Sequence, residues 1–131
     1  MKLLLDTHIW LWSHLSPNRL STPVIRELNR STNERWLSPV SIWELVLLVE
    51  KGRVVLAEDL ESWLAHAAER SPIFEAPLNQ AIALETLRVK LPYRDPADRL
   101  LVATARLLNL TLVTGDRRLI QARQAPVFPN S

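Results

Sequence analysis

"MKLLLDTHIW", residues 1–10, sends three leucines straight into a carboxylate, with Thr7 and His8 directly behind it. A short apolar run without polar alternation reads as a strand buried on both faces, as in a parallel sheet. Toward the other end, "LTLVTGDRRL", residues 110–119, has the same order: apolar and β-branched residues, then a turn, then Asp116. Sites in open parallel sheets form just beyond the carboxyl ends of strands. An aspartate at that point is also a common helix cap. Asp6 and Asp116 therefore carry two readings, and the residues between them must decide.

Those residues alternate short strand patterns with amphipathic ones. Helices are expected at His8–His14, Thr22–Arg30, Ser38–Lys51, Asp59–Arg70, Asn79–Lys90, Asp95–Asn109 and Arg117–Arg123. Thr22-Pro23, Ser38-Pro39 and Asp95-Pro96 each pair a cap with a first-turn proline, and Gly52 closes one helix. Strands are expected at Lys2–Leu5, Arg35–Leu37, Ile73–Ala76, Thr111–Val113 and Pro126–Phe128, with a brief extended segment at Val54–Leu56. The alternation predicts an α/β fold of three layers, α/β/α, around a central, mostly parallel sheet. No repeat, low-complexity tract or linker interrupts it, so residues 1–131 are expected to form one domain.

Composition narrows the function. The chain has 131 residues, 47% of them hydrophobic and 23% charged, in the range of globular domains. It has no cysteine, which excludes disulfides and thiolate metal sites. No uncharged run is long enough to span a membrane, and Leu3–Leu5 is too short for a signal-peptide core. A cytoplasmic location is the expectation. Two glycines leave no P-loop and no dinucleotide fingerprint. A haloacid-dehalogenase-type phosphatase would want a second Asp at position 8, where this chain has His8. A receiver domain would want a lysine where it has Gly115-Asp116. The net charge is only +2, yet Arg88, Lys90, Arg94, Arg99, Arg106, Arg117, Arg118 and Arg123 crowd the last third. That asymmetry suits either a solvated face or phosphate contacts.

Two further carboxylates stand in apolar company. In "VSIWELVLLVEKG", Val40, Trp43, Leu47 and Leu48 form a stripe at helical spacing with Glu44 inside it. A carboxylate so placed must be paired, protonated or bound to a cation. In "DPADRLLVATARLLN", Asp95 is the natural cap, while Asp98 shares the side of Leu101, Val102 and Ala105 and faces inward. Parallel strands bring Asp6 and Asp116 to one sheet edge. Four clustered carboxylates repel one another unless a cation neutralises them. Oxygen ligands without a His or Cys pattern suit Mg²⁺ or Mn²⁺, and such a site suits attack of water on a phosphodiester.

The segments "LLLDTHIWLW", "SPVSIWELVLLVEKGRV", "LPYRDPADRLLVATA" and "LTLVTGDRRL" together resemble PIN-domain proteins, specifically VapC-type toxins of toxin–antitoxin pairs. They keep that family's order over nearly the whole chain. The resemblance implies a Mg²⁺-dependent, single-strand-specific endoribonuclease, homodimeric and held inactive by a small VapB-like antitoxin. Its acidic site maps onto Asp6, Glu44, Asp98 and Asp116, with Asp6, Asp98 and Asp116 as metal ligands. Relatives often carry His and Phe in the "RDP.DR" region, where this chain has Tyr93 and Ala97.

Arg99 and Arg117, next to Asp98 and Asp116, are the candidate phosphate contacts. Thr114 could orient an acid or a water, or make a turn hydrogen bond. Arg99, Arg117 and Thr114 thus form the expected substrate-binding set. His8, His14 and His66 stand at no metal-binding spacing, and the five tryptophans suit core or interface more than base stacking. The apolar excess predicts a homodimer and a groove for an antitoxin segment. Two other readings remain at this level: a PIN-like module that binds RNA or protein without cutting, and a structure-specific DNA nuclease.

Overall fold

In the computed structural model, which describes residues 1–131, a five-stranded sheet carries seven α-helices on its two faces. The strands are β1 (Lys2–Leu5), β2 (Glu34–Leu37), β3 (Phe74–Glu75), β4 (Thr111–Thr114) and β5 (Val127–Pro129). Their spatial order is β3-β2-β1-β4-β5, and every neighbouring pair is parallel. The central strand explains the opening leucines. Leu3 and Leu5 enter one apolar cluster and Leu4 the other, so a residue of either parity must be apolar.

The helices are α1 (Thr7–Leu15), α2 (Thr22–Asn29), α3 (Pro39–Glu50), α4 (Leu60–Arg70), α5 (Gln80–Glu85), α6 (Pro96–Leu108) and α7 (Arg117–Ala122). Side chains of Asp6, Ser21, Ser38, Asp59, Asn79, Asp95 and Asp116 cap them in turn. Each cap satisfies an amide that the first turn leaves without a partner. Asn109 ends α6 in the left-handed region at φ 55°, which asparagine tolerates better than most side chains.

Val54–Leu56 joins no strand of the sheet. Two other expectations change. The helix expected at Asn79–Lys90 ends at Glu85 and tightens into a 3₁₀ turn over Thr86–Arg88. Only Ile82 and Val89 are buried there, while Leu84 and Leu87 are exposed, so no continuous apolar stripe extends the helix. In α3 the inward residues are Val40, Ser41 and Leu45, and Trp43 is 56% exposed rather than part of the packed stripe. Ser41 is small enough to let α3 approach α1, and Trp43, two residues on, is turned outward by the helical step.

The strand order reverses between β1 and β4. Beyond such a switch point an open α/β sheet forms a crevice at its carboxyl edge. Asp6 is the first residue after β1, and Asp116 follows β4 by two. The fold brings them to one place.

Candidate metal and nuclease site

A cavity of about 380 Å³ opens at this edge, lined by Asp6, Glu44, Asp98 and Asp116 together with Asp95 and Arg118. All four acids predicted from burial are in it. His8, Trp12 and Gly115 complete the wall.

Asp6 sits between the two halves of the sheet. Its Oδ1 accepts the Thr7 amide at 2.7 Å as the cap of α1. Its Oδ2 accepts the Thr114 hydroxyl at 2.6 Å. The Thr114 oxygen in turn accepts the amide of Asp116 at 3.0 Å. One hydroxyl therefore sets two acids in register. Burial pushes the Asp6 carboxyl above its ordinary range, against the lowering pull of the Thr114 hydroxyl, His8 and the Thr7 amide.

Glu44 comes from α3 and is held by the neighbouring α1. Thr7 Oγ1 donates to Glu44 Oε1 and lies 2.8 Å from Ser41 Oγ. A hydroxyl has one proton, so Ser41 must supply the second bond. Burial raises the Glu44 carboxyl, and the charges of Asp6 and Asp95 add to the rise.

Asp98 occupies the first turn of α6 and is 8% exposed. Its amide donates to Asp95 Oδ1 at 3.0 Å, so Asp95 is the cap and Asp98 is free of that duty. Tyr93 Oη donates to Asp98 Oδ2 at 2.9 Å. Burial first, then repulsion from Asp95, Asp6 and Asp116, push its carboxyl up to about 7. The same burial, with the bond to Asp98, raises the Tyr93 phenol out of its ordinary range.

Asp116 differs from the other three. Arg118 donates to it from its amide at 2.9 Å, from Nε at 3.2 Å and from Nη2 at 3.0 Å. The guanidinium holds this carboxyl below the usual range. Arg118 also lies 4.1 Å over the Tyr93 ring. The Arg118 side chain thus ties the Asp116 side of the cavity to the Asp98 side.

The three expected substrate contacts go to three different places. Thr114 is fully buried, and its hydroxyl is spent on Asp6 and Asp116. It positions acids and cannot reach a substrate. Arg117 points to another cavity, beside Gln121 and Asn130, because one helical step turns it about 100° from Arg118. Arg118 is the arginine at the acids. Arg99 is anchored by Nη2 to the Thr86 carbonyl at 2.7 Å and lines a neighbouring cavity. Thr7, Ser41, Tyr93 and Arg118 also belong to the site, beyond the residues expected from the sequence. Thr7, directly after Asp6, carried a positional signal; Ser41 and Tyr93 act across contacts that spacing does not reveal.

The donor set is oxygen only. As the side chains stand, no three acidic or imidazole groups close on a point as a cation cage would require. The reason is visible in their partners: Arg118 draws Asp116, Tyr93 draws Asp98 and Thr7 draws Glu44. Three of the four carboxyls are nevertheless raised, with like charge contributing to each. A hard divalent cation would relieve that repulsion, so the residues fit one.

Comparison with known proteins agrees with this architecture. The sequence profile of the PIN domain matches residues 3–125. The chain is 36% identical over 117 residues to Ribonuclease VapC22 of Mycobacterium tuberculosis, covering 89% of this chain and 88% of that protein. It superposes on the structure of VapBC2 from Rickettsia felis bound to a promoter DNA fragment with a TM-score of 0.73, at 18% identity over 100% of both chains. DNA-bound VapBC from Salmonella typhimurium gives 0.65 at 20% identity, over 100% of this chain and 99% of that one. FitAcB from Neisseria gonorrhoeae gives 0.62 at 21%, over 98% and 97%. The acids at the switch point, the five parallel strands, the matched profile and the likeness to a VapC ribonuclease have one meaning: the chain belongs to the PIN-domain family and, within it, to the VapC group.

Proposed function

We propose that this chain is a Mg²⁺-dependent endoribonuclease, the toxin of a toxin–antitoxin pair acting on cytoplasmic RNA. The observation that carries the reading is the Thr114 bridge, which joins Asp6 to Asp116 in a cavity that also takes Glu44 and Asp98. Likeness to a named ribonuclease supports it.

Asp6, Asp98 and Asp116 hold the cation in this reading. When bound, it polarises water and neutralises charge on the phosphate. Thr114 and the Thr7 amide fix both oxygens of Asp6 before substrate arrives. Tyr93 holds Asp98 by one oxygen and leaves the other free. Glu44 is gripped at Oε1 by Thr7, which leaves Oε2 to accept a proton from the attacking water. Water adds to phosphorus as the bond to the leaving ribose oxygen breaks, and that oxygen takes up a proton from solvent water. Cleavage of RNA with and without EDTA, followed by Mg²⁺ or Mn²⁺ re-addition, tests the reading. Cleavage that survives EDTA overturns the metal; matched DNA oligonucleotides cut equally well overturn the RNA preference.

The partners follow from the same family membership. Structural neighbours include VapBC complexes, which supports a small VapB-like antitoxin for this chain. An antitoxin arginine among the carboxylates would compete with the cation. Exposed Trp43 on α3, and Leu84, Leu87 and Leu107 around α5 and α6, support a homodimer. A monomer by light scattering at micromolar concentration would overturn the dimer. No helix of the chain is long and apolar enough to cross a membrane.

A further inference from the structure

Beside the acidic cavity lies a basic one of about 410 Å³, and the two share Asp95. Leu91, Tyr93 and Pro96 give it apolar and aromatic walls, while Lys90, Arg94 and Arg99 give it three cations. None of these three is in an ion pair, although Arg30, Arg88, Arg106 and Arg118 all are. Three cations against the single carboxylate of Asp95 leave this concavity net positive, a wall that attracts an anionic ligand. Arg99 is not a free surface group. Its Nη2 is fixed on the Thr86 carbonyl, which leaves Nε and Nη1 uncommitted. Lys90 Nζ is 3.4 Å from the Leu87 carbonyl, and Arg94 is exposed at the rim.

Tyr93 belongs to both cavities by function. Tyr93 lines the basic one, its hydroxyl holds Asp98 in the acidic one, and Arg118 covers one face of its ring, which leaves the other for a base. The volume is within the range of small-ligand pockets and takes one nucleotide. An aromatic wall suits a base because every base has a stacking face, and the cations suit the backbone phosphate.

We propose that the cavity formed by Lys90, Leu91, Tyr93, Arg94, Pro96 and Arg99 is the subsite for the nucleotide next to the scissile phosphate. This rests on the acidic cavity being the site of phosphodiester cleavage. The subsite binds the neighbouring phosphate through Lys90, Arg94 and Arg99 and lays its base against Tyr93. The shared wall at Asp95 delivers the adjacent bond to the acids.

The test is steady-state cleavage of a short single-stranded RNA in Mg²⁺ at several salt concentrations. Wild type is compared with Arg94→Ala, with the double variant Lys90→Ala/Arg94→Ala, and with Arg26→Ala on the exposed side of α2 as control. Arg94→Ala is expected to raise KM several-fold with kcat unchanged, and the double variant to raise it further. The plot of log kcat/KM against log salt should flatten by about 0.7 for each lost phosphate contact. Arg26→Ala should match wild type, and circular dichroism melts should show all variants folded. An unchanged KM and salt slope in the double variant overturns the subsite and leaves the nuclease reading standing. If wild type cuts neither RNA nor DNA, the nuclease reading fails. Anisotropy of a labelled oligonucleotide then judges the cavity alone: it stands if wild type binds and the double variant does not, and falls otherwise.

Discussion

Thr114 and Asp6, 108 residues apart, are joined by a 2.6 Å hydrogen bond from the Thr114 hydroxyl to Asp6 Oδ2. Because the same oxygen accepts the Asp116 amide, the ends of β1 and β4 are registered by a side chain as well as by the sheet ladder. Thr114→Val keeps the shape and removes the bond. It should cost about 1–3 kcal/mol of stability, the worth of leaving buried polar groups without a partner, and should reduce cleavage. Thr114→Ser keeps the hydroxyl and should retain most activity. Urea melts and cleavage rates on both variants check this; equal activity of the Val and Ser proteins would refute it.

Asp95 and Asp98 should separate cleanly. The Asp98 carboxyl is raised from 3.8 to about 7. The unfolded chain releases this proton above pH 3.8 while the folded one keeps it, so ionisation costs stability progressively up to about pH 7. Asp98→Asn removes that cost and can still accept the Tyr93 proton. It should abolish cleavage yet raise the melting temperature of the metal-free protein at pH 8, with the gain shrinking toward pH 4. Asp95→Ala removes the cap, should cost about 1 kcal/mol and should leave measurable activity. Reversal of the two activities would show that the register of α6 is misassigned.

Arg118 is the cation already among the acids, and it competes with any other. Arg118→Ala should free Asp116 and let its carboxyl return upward toward the ordinary range. The Mg²⁺ concentration for half-maximal cleavage should fall several-fold. A Mg²⁺ titration of wild type and variant decides it, and a higher requirement in the variant would count against competition.

His14 predicts acid sensitivity on the other side of the sheet. It packs edge-on against Trp10 and Trp63, and burial, with Arg70 and Arg35 nearby, lowers its pKa. The unfolded chain therefore takes up a proton that the folded chain refuses. The stabilising contribution is full above the unfolded value of 6.5 and is lost as pH falls through the lowered folded value. His14→Phe should lose less stability than wild type between pH 7 and pH 5. Parallel denaturation curves across that range measure the difference; superimposable pH dependences would remove His14 from the explanation.

What the residues alone determined was local. An unbroken apolar run followed by a carboxylate identifies a buried strand and its carboxyl end at Leu3–Asp6 and again at Leu112–Asp116, because burial and capping are decided within a few residues. Asp95-Pro96 likewise settled the start of α6, and with it the inward side on which Asp98 stands. Helix α3 is apolar almost all round, so its spacing could not say that Ser41 and Leu45 would face in and Trp43 out. Only packing against α1 chose that face, and the choice put Glu44 within reach of Thr7, 37 residues earlier. Arg117 and Arg118 are neighbours in sequence, and the local geometry of the α7 cap brings Arg118 back onto Asp116 while Arg117 turns to another cavity. Tyr93 precedes α6 in an irregular segment whose path has no periodicity to read, so its bond to Asp98 exists only in the folded chain. Short-range chemistry marked the acids and placed Arg118 on Asp116; long-range packing selected the hydroxyls that hold Asp6 and Glu44.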